Sequence, residues 1–131
     1  MKGGATYRLL YNMNFARLKF DGYKMGDQLV SSVEYAIEFA ELPHDMEAVL
    51  EIIFARHNRD DRPNPLTEPS LSAGDVVKVT VVRGDEKIPT GEGEYTVKAV
   101  GFESVFVEDD DIAREVTVLE YMKGLESRLH S

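Results

Sequence analysis

The sequence predicts an α+β fold. It reads as a single domain whose antiparallel sheet, a hairpin plus a meander, carries one firm helix and a further helix near the C-terminus. Three observations support this. Several stretches alternate apolar and polar residues with period two, as half-buried strands do. One stretch, 45–57, repeats apolar residues at spacings of three and four behind a capping residue. Neither a linker nor an internal repeat interrupts the 131 residues, a length that one core can serve.

The first strand follows from Tyr7, Leu9 and Tyr11 alternating with Thr6, Arg8 and Leu10. Asn12-Met13-Asn14 is a turn, and Ala16, Leu18 and Phe20 alternate with Arg17 and Lys19, so 6–20 reads as a hairpin closed by Asp21-Gly22. The next segment fits two periods. Val33, Tyr35, Ile37 and Phe39 alternate with polar or small residues, whereas Leu29, Val30, Val33, Ile37 and Ala40 also have helical spacing. The alternate aromatics favour a strand near 34–41 after a short helical or irregular stretch at 25–31.

Pro43-His44-Asp45 opens the helix. The Asp45 carboxylate suits the N-cap because it can accept first-turn amides that lack partners within the helix. Met46, Val49, Leu50, Ile53 and Phe54 make its apolar face. Arg56 and His57 suit the negative end of the dipole, and Asn58 can end the helix in the left-handed conformation. Residues 59–73 form a loop stiffened by Pro63, Pro65 and Pro69. A strand opens at Asp75, with Val77, Val79 and Val81 on one face. The polar run Arg83 to Gly93 connects it to a strand at Tyr95–Ala99, which Gly101 ends, and Ser104–Val107 completes the meander over 75–107. The acidic run Glu108–Asp111 leads into a helical extension of about 110–129, striped by Ile112, Val116, Leu119, Met122 and Leu125. Val116-Thr117-Val118 keeps a strand open there.

Composition narrows the functional classes. With no cysteine there is neither a disulfide framework nor a thiolate metal site or nucleophile. Met1 to Ala5 lead into the first strand without an apolar signal segment, and no run reaches membrane-spanning length, so a soluble cytoplasmic protein is expected, with no membrane. Twenty-four acids against fifteen lysines and arginines give a formal charge of −9. A chain this acidic disfavours nucleic acid as a partner, since that binding rests on cations neutralising phosphates.

Catalytic residue types are present without catalytic spacing. Ser70 or Ser72 with His57 and Asp60 or Asp61 would supply a nucleophilic triad, but neither a nucleophile elbow nor an oxyanion loop accompanies them. His57 with the two aspartates lacks metal-ligand spacing, and Gly91-Glu92-Gly93 lacks the Gly-Lys-Ser or Gly-Lys-Thr of a phosphate loop. No catalytic residue, metal or cofactor is assigned. Arg83-Gly84-Asp85 reads as a hairpin turn.

One set of motifs points to a family. Tyr35 through Glu41-Leu42, Leu50-Glu51 in the helix, Asn58 and Asp60, Arg62-Pro63, Ser70-Leu71-Ser72, Gly74-Asp75-Val76-Val77, Tyr95-Thr96-Val97 and Gly101-Phe102 follow one another in order. Over about 6–107 the chain resembles the YodL-like domains, small proteins of Gram-positive bacteria, their mobile elements and actinobacterial phages. The stretch between Val82 and Tyr95 is longer than in a compact member, and Ala73 stands where larger residues are common. The resemblance implies a small accessory protein of a phage or mobile element.

The expected function is non-enzymatic: binding a bacterial host protein through Arg59, Asp60, Asp61 and Arg62, in a loop held by firm elements at both ends. Asn58, Pro63, Ser70, Ser72, Gly74, Asp75, Gly101 and Phe102 are read as structural. The alternative is an acidic DNA mimic, using runs such as Glu108–Asp111, or a nucleic-acid-associated module of PUA-like or SH3-like barrel type. The oligomeric state is left open.

Overall fold

The computed structural model describes residues 1–14, 22–113, 118–120 and 123. Its strands are β1 (Gly3–Asn12), β2 (Leu29–Ser31), β3 (Tyr35–Phe39), β4 (Val76–Arg83), β5 (Ile88–Val97), β6 (Phe102–Ser104) and β7 (Ile112–Ala113), with helix α1 (Met46–His57) between β3 and β4. The protein is α+β, with a mostly antiparallel sheet ordered β6-β5-β4-β1-β2-β7 and β3 also on β1. Among the described residues this is an open path and not a closed barrel.

β1 organises the sheet. One of its edges pairs with β4 from Gly3↔Arg83 to Leu10↔Val76. The other is shared by β3, opposite Gly3–Tyr7, and β2, opposite Leu10–Asn12. Backbone crowds β1 from both sides. A Cβ on Gly4 would stand 2.7 Å from the Ile37 carbonyl oxygen, and one on Gly3 would stand 2.5 Å from that of Val82. Glycine is therefore required where β1 starts.

Alternation sends Ala5, Tyr7, Leu9 and Tyr11 of β1 and Val77, Val79 and Val81 of β4 to one face, where they bury Val49, Leu50 and Ile53 of α1. Each buried aliphatic contributes about 2 kcal/mol, so Ile53→Ala alone would cost about 3 kcal/mol. The intervening positions Leu10 and Val76 join Leu29 and Val107 in a smaller second cluster. α1 starts as its sequence requires: the Asp45 side chain accepts from the Ala48 amide at 2.9 Å. The 84–87 turn also falls where Arg83-Gly84-Asp85 placed it, with Gly84 at φ 69°.

Several boundaries differ from the sequence expectation. Residues 29–31 form a strand, since Leu29, Val30 and Ser31 are all buried and two-sided burial erases alternation. The stretch 83–93 is not a long connector. Only 84–87 turn, and Ile88–Gly93 pair with β4 across a register shift at Val81/Val82. The last meander strand is Phe102–Ser104 and not Ser104–Val107, because the Val105 amide still meets the Glu94 backbone oxygen but the Val107 amide goes to the Glu94 carboxylate in place of a strand carbonyl. Asp109–Asp111 form one 3-10 turn, and Ile112–Ala113 pair in parallel with β2, so the helical extension does not begin at 110. Residues 118–120 and 123 are helical, while Val116, Thr117, Met122 and Leu125 lie outside the described residues. So do 15–21, which hold the second strand of the expected hairpin.

Candidate functional site

The C-terminal end of α1 is where the sequence placed its candidate surface, and the helix reaches it with an unexpected residue turned inward. His57 continues the stripe of Val49, Leu50 and Ile53 and is 1% exposed. Its Nε2 lies 2.7 Å from the Tyr7 hydroxyl, which also accepts from Arg56 Nη1 at 3.2 Å. A guanidinium can only donate, so Tyr7's own proton is left for His57. Tyr7 stacks on Tyr35 at 5.4 Å, and His57 meets Tyr35 edge-on at 4.7 Å. The Tyr35 hydroxyl donates to Glu68 Oε1 at 2.5 Å and accepts from Asn64 Nδ2 at 2.9 Å. The Tyr11 hydroxyl donates to the Pro69 carbonyl at 2.9 Å.

Burial sets the protonation states of this cluster. It pushes His57 down to about 4, helped by Arg56, Arg59 and Arg62 nearby, so the ring is neutral at physiological pH. The expectation that His57 acts as a cation on the helix dipole is therefore corrected: burying its charge costs more than the dipole returns. Glu68 is raised by burial, partly offset by its bonds to Tyr35 and the Val33 amide. Tyr7 and Tyr35 are both raised, again chiefly by burial.

The four expected binding residues divide. Arg59 and Asp61 pair at 3.5 Å in the open, both well exposed, and such a pair holds neither side chain strongly. Asp60 is exposed. Arg62 is half-buried and braces the loop, with Nε and Nη2 each 3.4 Å from the Glu68 carbonyl. Around them the loop is fastened at fixed points. Asn58, at φ −113° and not left-handed as the sequence suggested, ends the helix with its Oδ1 accepting from the Leu71 amide at 2.7 Å. Asp75 accepts from the Ser72 amide and, with its other oxygen, from the Asn12 amide, each at 2.8 Å. Gly74, at φ 94°, passes its amide to Val97, and its carbonyl accepts from Asn12 Nδ2. Ser70 and Ser72 are exposed and Pro63 is half-buried. Gly101 has φ 75°, and Phe102 packs edge-on to Phe54 at 6.3 Å.

Two hollows flank β3. One, of about 500 Å³, is lined by Ala36, Ile37, Glu38, Ile52, Ala55, Arg56 and Arg59. The other, of about 360 Å³, lies over the sheet beside Gly4, Ala36, Glu38 and Val82. Neither is lined by His57, Glu68, Ser70 or Ser72. Among the described residues, no three His, Asp or Glu side chains gather as metal ligands, and no helix is long and apolar enough to cross a membrane.

No family model, curated protein or solved structure matches this chain. The site residues that sequence reasoning missed are Arg56, as a groove residue, and Glu68. Arg56 was legible in principle, since Ile52, Ala55 and Arg56 share one helix face by spacing. Glu68 carries no local signal, because its partner Tyr35 is thirty-three positions away.

Proposed function

We propose that this chain is a non-enzymatic binding module that engages a bacterial host protein, serving a phage or mobile element. The observation that carries this reading is the contrast at the end of α1. Arg56 and Arg59, with Glu38, line an open groove beside the exposed apolar Ile52, whereas His57 and Glu68 are buried. In a chain of formal charge −9, a groove lined by two arginines and one glutamate is a local excess of positive charge, which steers and orients a partner more than it stabilises the fold. The resemblance to YodL-like domains supports the accessory role. Within the expected loop, Arg59 is the residue free to take part, because Arg62 is occupied with Glu68.

The test compares wild type and Arg59→Glu as immobilised baits in Gram-positive host lysate. The expected result is a saturable partner kept by wild type and lost by the variant, with equal urea midpoints for the two proteins. Equal retention by both overturns the reading. Displacement of the recovered partner by duplex DNA, steeply weakened by salt, would instead favour the acidic DNA-mimic alternative.

A further inference from the structure

We infer that the open side of β3 takes an extended segment of the partner protein as an added strand, with carboxylates at alternate residues meeting Arg56 and Arg59. This rests on the binding-module reading and names the kind of ligand that the groove fits.

The backbone supplies the first argument. Among the described residues β3 pairs with β1 alone, so every second residue of Tyr35–Phe39 directs its amide and carbonyl away from the sheet. Sheet edges are ordinarily protected by shortness, charged side chains, proline, a bulge or a covering element. Tyr35-Ala36-Ile37-Glu38-Phe39 is short and carries one charge, Glu38, but holds neither lysine nor proline, and its pairing with β1 runs without a register shift. The two hollows supply the second argument. Both are lined by Ala36, Ile37 and Glu38, one on the α1 side and one on the Gly4 side. A strand laid along β3 would send alternate side chains into one hollow and then the other, the arrangement by which strand addition obtains affinity from backbone and specificity from pockets.

Charge decides the occupant. The α1-side hollow presents Arg56, anchored on the Tyr7 hydroxyl and with its guanidinium 6.0 Å from the centre of the Tyr35 ring, together with exposed Arg59, against the single carboxylate of Glu38, so its lining is positive on balance. Arg56 lies in the last turn of α1 and Arg59 two residues past its end, so both reach the hollow from one end of the helix. Alternate residues of a strand are about 6.7 Å apart, a separation that two long arginine side chains can serve. The opposite hollow sets Gly4, Ala36 and Val82 among two cations and two carboxylates, Lys2, Lys87, Glu38 and Asp85, so it takes a small side chain without selecting it by charge. A second copy of this chain fits poorly: each carries −9, and pairing β3 with β3 would bring the Glu38 residues of the two copies onto the same short edge.

The probe is a capped, fluorescent peptide about ten residues long that alternates glutamate and valine. It is titrated into the full chain, with amide exchange of residues 35–39 followed by NMR. Binding is expected to slow exchange at alternate β3 amides, and Arg59→Glu is expected to weaken the peptide about tenfold. A peptide of the same composition in two blocks, and the alternating peptide N-methylated along one edge, are expected to bind at least about tenfold more weakly. The proposal is overturned by unchanged β3 exchange at saturating peptide, by no binding, or by equal binding of the N-methylated peptide. Slow, concentration-independent exchange in the free protein at the outward-facing β3 amides, those not bonded to β1, also overturns it, because the edge would already be paired. Protection that grows with protein concentration alone would assign the edge to a second copy. If the peptide fails while Arg59→Glu still loses the lysate partner, only strand addition falls. If the partner stays on Arg59→Glu, the binding-module reading falls as well.

Discussion

Two buried polar clusters hold this fold, and they are satisfied in different ways. Around Asp75 the partners are mostly backbone: the amides of Asn12 and Ser72, with the Asn12 side chain reaching Gly74 and Asp27. Around His57 they are mostly side chains, Tyr7, Arg56, Tyr35, Glu68 and Asn64, brought from β1, β3, α1 and the following loop. The first cluster fixes where the chain runs and the second fixes how finished elements pack. Removing an acceptor from the first leaves backbone donors buried and unpaired, whereas trimming the second exchanges one polar contact for a ring of similar shape.

The sharpest way to break this comparison is therefore Asp75→Ala. It leaves two amides without their acceptor and should cost about 3 kcal/mol in urea unfolding, more than any other polar substitution in either cluster. Glu68→Ala should cost less, because it deprives one hydroxyl, which can rotate, and a part-buried Val33 amide held only at 3.5 Å. If the two losses were equal, backbone satisfaction would not be what separates the clusters.

Next in size is an opposition in pH dependence. Burial raises Asp75 to about 7 from 3.8, with the two amide bonds only partly offsetting it. The native state then holds a proton that the unfolded chain has released. Stability from this group is full below about 4 and is lost as pH rises through 7. His57 runs the other way, lowered from 6.5 to about 4. The unfolded chain takes up a proton that the native state refuses, so its contribution is full above 6.5 and is lost as pH falls through 4. Between about 4 and 6.5 the two slopes oppose each other and flatten the wild-type profile. Asp75→Asn should unmask the His57 slope, with stability falling on acidification. His57→Phe should unmask the reverse, with stability falling toward pH 7, a trend to which Glu68 adds because it is raised too. Denaturation midpoints across pH would show both slopes. Parallel profiles in the two variants would end the assignment.

The same contrast explains what could be read from the sequence. Alternation gave β1, β3 and β4, and the Asp45 cap with its three–four spacing gave α1, because those signals are local. Ser72, Gly74 and Asp75 were legible as a turn for the same reason. β2 and the first half of β5 were missed, since two-sided burial hides period two in Leu29–Ser31 and exposed positions with two glycines mask it in Ile88–Gly93. The His57 cluster was hidden because Tyr7 and His57 are fifty positions apart. Of the candidate surface, Arg59 was legible. Its groove was not, because that required knowing which edge of the sheet β3 occupies.

Within the side-chain cluster, the expected effects shrink again. Tyr7→Phe and His57→Phe should each cost about 1–2 kcal/mol. Their double-mutant cycle should show about 1 kcal/mol of coupling, because the two rings share the 2.7 Å bond. Additive losses would mean that the rings contribute only by packing.

The smallest expected effect separates scaffold from surface. Among the described residues the Arg59 side chain's ion pair is with exposed Asp61, so Arg59→Ala should change stability by less than about 0.5 kcal/mol. Arg62→Ala removes the brace on the Glu68 carbonyl, beside a buried carboxyl, and should cost about 1 kcal/mol. The two arginines sit three residues apart in one loop and look equivalent by sequence. If they are as the geometry has them, urea unfolding ranks Arg62 first and partner capture ranks Arg59 first. Equal losses in both assays would merge them into one function, and the groove beside β3 would lose the residue that gives it its charge.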